Sequence, residues 1–155
     1  MYIFAKFLHI IGFTIWIGGM FFAHNCLRPV AATTLEPPQR LPLLAGVMGK
    51  FFTWVWVAIV LIFASGMHMM AIMHAGGGAP PHYVHAMFVI AVVMLLIFGH
   101  IFFAAFKRMK RAIVAADWPA AGAAMGQIRK LIFVNLILGS ITIVIGALGP
   151  LMYYR

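Results

Sequence analysis

The chain has 155 residues, 65% of them apolar and only 8% charged, against about 25% charged in a typical soluble domain. Mean hydropathy is +1.07, and 11 Lys and Arg against 2 Asp and Glu give a net charge of +9. Too little polar surface is available to cover such a chain in water, which excludes a soluble globule, a disordered chain and a nucleic-acid-binding module. A polytopic membrane protein remains.

A spanning helix needs about 20 apolar residues. Phe7 to Leu27 carries no Lys, Arg, Asp or Glu and predicts a first span over about 3–27. It lacks a basic leader and a small-x-small cleavage site, so it reads as a span rather than a signal peptide. Phe51 to Phe106 is a second uncharged run, long enough for two helices. The segment His74-Ala-Gly-Gly-Gly-Ala-Pro-Pro-His82 punctuates it, since Gly and Pro end helices and make turns. That predicts spans over about 47–73 and 83–107. Asp117-Trp118-Pro119 has the form of an N-cap followed by Pro in the first turn, predicting a short cytoplasmic helix over about 117–128. Leu131 to Tyr154 predicts the last span, over about 131–154. The expected fold class is all-α: one domain, residues 1–155, built as a four-transmembrane-helix up-down bundle in the lipid bilayer.

The loops give the bundle a direction. Arg28, Arg40 and Lys50 lie between helices 1 and 2, and Lys107, Arg108, Lys110, Arg111, Arg129 and Lys130 between helices 3 and 4; the other side has Lys6 and Arg155. The positive-inside rule then puts both termini and the Gly-Pro loop outside, periplasmic for a bacterial inner membrane. The single cysteine, Cys26, excludes an intrachain disulfide and any CxxC metal site.

Ionisable residues inside a span are costly and point to function. No Asp or Glu falls in a span, but His9 and His24 fall on helix 1, His68 on helix 2, and His85 and His100 on helix 3. On an up-down bundle His9, His68 and His85 share the outer leaflet, while His24 and His100 lie near the inner face. His9–His24 and His85–His100 have the same spacing, which places each pair on one broad side of its helix about 22 Å apart. Two histidine pairs stacked across a bundle suit axially ligated haem: His9 with His85 or His68 for an outer haem b, and His100 with His24 for an inner one. His9, Gly12, Trp16 and Gly19 lie on one helical face, and glycines beside a histidine leave room for a flat macrocycle. The bland alternative is that the glycines serve close helix packing and that His24 snorkels to the interface. Helix 4 carries Gly139, Thr142, Gly146 and Gly149 without a histidine, where close packing is the better reading, and Asn135 is placed to hydrogen-bond across the bundle. A competing chemistry sits on helix 2, where Met67, His68, Met70, Met73 and His74 combine thioethers and imidazoles, a donor set that suits Cu(I). The bland alternative is that these methionines fill the core or face lipid.

Lys6-Phe7-Leu8-His9-Ile10-Ile11-Gly12 followed by Trp16-Ile17-Gly18-Gly19 resembles the copper-resistance D (CopD-like) membrane domain, and also the small membrane protoporphyrinogen oxidases (HemJ-like) related to it. Ser65-Gly66-Met67-His68 and Asn135-Leu136-Ile137-Leu138-Gly139 extend the resemblance to helices 2 and 4. It implies a four-helix inner-membrane domain, with copper uptake or tolerance in the copper branch and a b-type haem in the oxidase branch. Only His9 matches the oxidase branch's helix 1 haem ligand. Asn135 lacks the Glu and Pro that follow it in that branch, and Leu27-Arg28-Pro29 stands in place of Pro-Arg-Leu. The leading expectation is a haem-b membrane redox protein, an electron-transfer oxidoreductase exchanging with quinone or a periplasmic redox protein. The alternatives are a copper-handling protein using the outer Met and His residues, and a structural subunit of a larger membrane complex or homo-oligomer.

Overall fold

The structure, a computed structural model, describes residues 1–153; the predicted end of the last span, Tyr154, lies outside them. Four helices make the fold: α1 (Tyr2–Thr34), α2 (Pro37–Ala75), α3 (His82–Val114) and α4 (Trp118–Tyr153). All four are long and apolar enough to cross a membrane, and the protein is an all-α, multi-pass membrane protein. Contacts run antiparallel between chain neighbours. Gly12 of α1 faces Ala58 and Ile62 of α2, Phe63 of α2 meets Phe88 of α3, and Asn135 of α4 reaches the Met94 carbonyl of α3. Gly139 of α4 abuts Ile17 of α1 and closes the ring. The α1–α2 and α3–α4 connections therefore share one end, where the nine basic residues gather. We call this the basic end and the opposite one the Gly-Pro end.

Aromatic rings fill the waist. Trp16 of α1, Phe52 and Trp56 of α2 and Phe98 of α3 meet edge to face, with centroids 5.2–6.1 Å apart, a geometry that suits the ring quadrupoles. Lipid offers apolar side chains no worse a neighbour than another helix does, so close backbone approach at small residues holds such bundles together. A Cβ on Gly12 would sit 2.8 Å from Ile62 and 3.0 Å from the Ala58 carbonyl, and one on Gly19 would run into the Phe51 ring. On α4, a Cβ on Gly139 would sit 2.8 Å from Ile17, and one on Gly149 2.5 Å from Tyr83. Close packing at the α4 glycines is thus as the sequence predicts.

The helices overrun their predicted limits at the basic end. Helix α1 continues past residue 27 to Thr34, α2 begins at Pro37 rather than near 47, and α3 continues past 107 to Val114. Pro37 and Pro38 look like loop residues but occupy the first turn of α2, where a missing N–H loses nothing and the fixed φ suits the helix. Asp117 caps α4 as expected, accepting the Ala120 N–H at 2.9 Å. The separate short helix over 117–128 does not exist, because no breaker separates it from the span beginning near 131 and the two form one helix. The Gly-Pro loop does end α2: Gly77, at φ +80°, and Gly78 return their N–H groups to His74 and Met73, the pairing of a Schellman cap. Two diagonal helices loosen into single π turns near the basic end, α1 over Ala23–Leu27 and α3 over Ile101–Ala105.

Candidate functional site

His9 is the one candidate histidine turned against a neighbouring helix at the Gly-Pro end. Its Nδ1 lies 3.1 Å from both the Ile62 carbonyl and Ser65 Oγ. A carbonyl only accepts, so Nδ1 carries the proton. The Ser65 hydroxyl is itself committed, donating to the Leu61 carbonyl. Gly66 makes the approach possible, since a Cβ there would lie 3.4 Å from the imidazole. Nε2 of His9 is left with its lone pair and no partner among the described residues. An Nδ1–H anchored to a carbonyl with Nε2 open is the arrangement by which proteins orient a metal-ligating imidazole.

The same tautomer recurs nearby. His74 Nδ1 is 3.0 Å from the Met70 carbonyl and His85 Nδ1 is 3.3 Å from the Pro81 carbonyl. Both residues are exposed, as are His68 and His82. His9, His68 and His85 therefore share an end of the bundle but do not close into a triad. Among the described residues no three His, Cys, Asp or Glu side chains lie close enough to hold an ion.

At the basic end the other two histidines are engaged by α4. His100 Nε2 lies 3.2 Å from Gln127 Nε2, whose amide oxygen accepts from Arg108 at 2.6 Å. The Gln127 amide nitrogen donates, so His100 Nε2 is the acceptor and its lone pair is in use. His24 stacks on Phe133, with centroids 5.4 Å apart. Neither ring is paired with the other.

The glycine face of α1 does not open a macrocycle seat. Gly12 is closed by Ile62 and the Ala58 backbone, Gly19 by Phe51, and Trp16 is buried in the waist against Phe98. The glycines admit helix α2 where the sequence reading put a flat ring. A haem between α1 and α2 does not fit this packing.

The methionines divide by environment. Met20, Met48, Met94 and Met109 are buried among the core side chains. Met67 is 58% exposed, and Met70 and Met73 are half-buried. Met67, Met70 and His74 follow i, i+3, i+7 and share a stripe of α2. Core filling therefore accounts for the first group, while Met67 lies outside the core and Met70 and Met73 at its edge, a distinction composition alone could not make. Sequence reasoning also passed over Ser65 as the partner of His9; its spacing from Ile62 and Gly66 on α2 carries that signal only once α1 is laid against it.

Asn135 is 1% exposed and donates Nδ2–H to the Met94 carbonyl at 3.1 Å, the expected bond across the bundle. Its Oδ1 has no partner among the described residues.

No curated protein and no solved structure matches the chain. Residues 45–148 match the family described as Copper resistance protein D. That stretch takes in most of α2, all of α3 and nearly all of α4, and begins beyond the α1 motif from which the sequence resemblance was drawn. With well over half its length matched, the chain belongs to the copper resistance protein D family.

Proposed function

We propose that the protein handles Cu(I) at its Gly-Pro end, with Met67, Met70, Met73 and His74 of α2 as the donor face and His68 beside them. One observation carries the reading: Met67, Met70 and His74 share a stripe of α2 outside the buried core, and His74 fixes Nδ1 on the Met70 carbonyl, which leaves its Nε2 open beside the thioethers. Thioether and imidazole are soft and intermediate donors that select Cu(I) over hard cations. Family membership points the same way. By the positive-inside rule this end faces the periplasm of a bacterial inner membrane, so the copper would be met outside the cytoplasm.

A second reading keeps haem, with His9 as axial ligand and quinone or a periplasmic redox protein as electron partner. The anchored Nδ1 and open Nε2 of His9 favour it. The closed glycine face opposes it, so a haem would have to sit outside the α1–α2 seam. Of the oxidase branch's haem ligands, only His9 is matched.

The test is a dithionite-reduced minus oxidised visible spectrum of detergent-purified protein, with copper measured on the same sample. Made with adequate haem and copper, the protein should carry copper and show no sharp b-type α-band. An α-band with no copper would replace the first reading by the second.

A further inference from the structure

Two adjoining pockets, of about 180 Å³ and about 310 Å³, open at the basic end and share Arg28, Leu44, Met125 and Arg129 in their walls. Their chemistry differs. The first lies deeper in the bundle, between Phe22, Val47, Phe51 and Ile132, and is apolar. The second lies toward the helix ends, beside Arg40, Gly122 and Gly126. Three guanidinium groups thus surround one opening, close enough to feel one another's charge. Arg40 gives Nη1 to the Ala32 carbonyl at 3.2 Å. Arg28 and Arg129 have no hydrogen-bond or ion-pair partner among the described residues, and no carboxylate pairs with any of the three.

The backbone also points here. The π turn of α1 is Ala23–Leu27, and Ala23, His24 and Leu27 line the apolar pocket with Arg28 following directly. Such a turn inserts a residue and shifts the register of everything after it, and is frequent at functional sites. Like charges gathered without a counter-ion, above an apolar slot at the limit of the uncharged zone, match a ligand with an anionic head and a hydrocarbon body.

We propose that this site binds an anionic phospholipid, its phosphate held by Arg28, Arg40 and Arg129 and an acyl chain lying in the apolar pocket. Arginine's planar fork suits phosphate oxygens, and basic pockets between transmembrane helices are known to hold such headgroups. The site is remote from the donors assigned to copper and does not depend on that assignment.

Native mass spectrometry of the detergent-purified full chain tests it, comparing phosphatidylglycerol with phosphatidylcholine of the same acyl chains. Phosphatidylglycerol should bind at least tenfold better, and the double variant Arg28→Ala, Arg129→Ala should fall to the phosphatidylcholine level. Gly126→Leu separates the pocket from the charge. Gly126 lines the second pocket and a Cβ there meets nothing within 4 Å, so a leucine narrows the opening, keeps every arginine and improves helix propensity; it should lose the preference too. Millimolar inorganic phosphate should not displace the lipid. Equal binding of the two lipids, or a Gly126→Leu variant that binds like the wild type, would overturn the proposal. Displacement by inorganic phosphate would also overturn it, in favour of a free-anion site.

Discussion

The two ends of the bundle are built on the same antiparallel helices and carry opposite chemistry. At the Gly-Pro end, imidazoles and thioethers gather with Lys6 as the only described basic side chain on that side. The histidines there with a hydrogen bond each spend Nδ1 on a carbonyl and leave Nε2 open. At the basic end, nine Lys and Arg side chains gather, and His100 has its acceptor nitrogen taken by Gln127. His24 at that end is held by stacking on Phe133, so the histidines are anchored through Nδ1 at one end and by α4 contacts at the other. Charge explains the difference in part: a soft cation is admitted where fixed positive charge is sparse and repelled where it is dense. An anion meets the reverse. Between the ends lies an uncharged aromatic waist, which keeps the two chemistries apart.

The sharpest way to break that separation is to put a charge in the waist. Asn135→Asp would bury a carboxylate at a position 1% exposed, and should destabilise the protein by about 3 kcal/mol, the central-helix figure for Asp in a membrane. Thermal melting in detergent should show both ends lost together in one lowered transition. An unchanged melt would mean that the waist is wet or that the carboxyl group is neutral there. Gly12→Val attacks the seam that aligns α1 with α2. The Ala58 carbonyl, 3.0 Å from the new Cβ, is backbone and cannot move aside, so about 1–3 kcal/mol should be lost and a lower melting temperature read.

Paired substitutions compare the histidines directly. Ser65→Ala takes one of two acceptors from the half-buried His9, and should cost about 1 kcal/mol. Gln127→Ala releases the exposed His100, and should stay within about 0.5 kcal/mol. Equal effects in urea or thermal titrations would erase the contrast between an inward and a surface histidine.

Much of the architecture is legible in the sequence because lipid leaves few choices. Uncharged runs must be helices, and the Gly-Gly-Gly and Pro-Pro steps after His74 have to turn. Asp117 was readable as a cap and Asn135 as a cross-bundle donor, since each needs only a local pattern or one buried amide. The helix limits at the basic end were not, because hydropathy locates the lipid-facing part of a helix and says nothing of where the helix continues beyond it; Pro37 and Pro38 then look like breaks and are a start. The face carrying His9, Gly12, Trp16 and Gly19 was readable as a face, but what fills it was not. Ile62 and Phe51 occupy the glycine notches from a different helix, far along the chain, and no spacing on α1 distinguishes them from a macrocycle. The arginine pocket was hidden for the same reason: Arg28, Arg40 and Arg129 read as separate topology signals until the bundle closes around one opening. The π turns left no mark that could be read in advance.

The separation of the two chemistries stands or falls on where copper binds. The direct measurement is Cu(I) affinity of the purified protein, by competition with a chromogenic Cu(I) chelator, for the wild type, for Met67→Leu, Met70→Leu, Met73→Leu combined, and for Arg28→Ala, Arg129→Ala combined. Leucine keeps the volume of these side chains and removes the thioether, so folding should persist. The methionine variant should bind Cu(I) at least tenfold more weakly, about 1.4 kcal/mol or more, while the arginine variant binds like the wild type. Wild-type affinity in the methionine variant, or no Cu(I) binding by the wild type itself, would contradict a copper face at the Gly-Pro end.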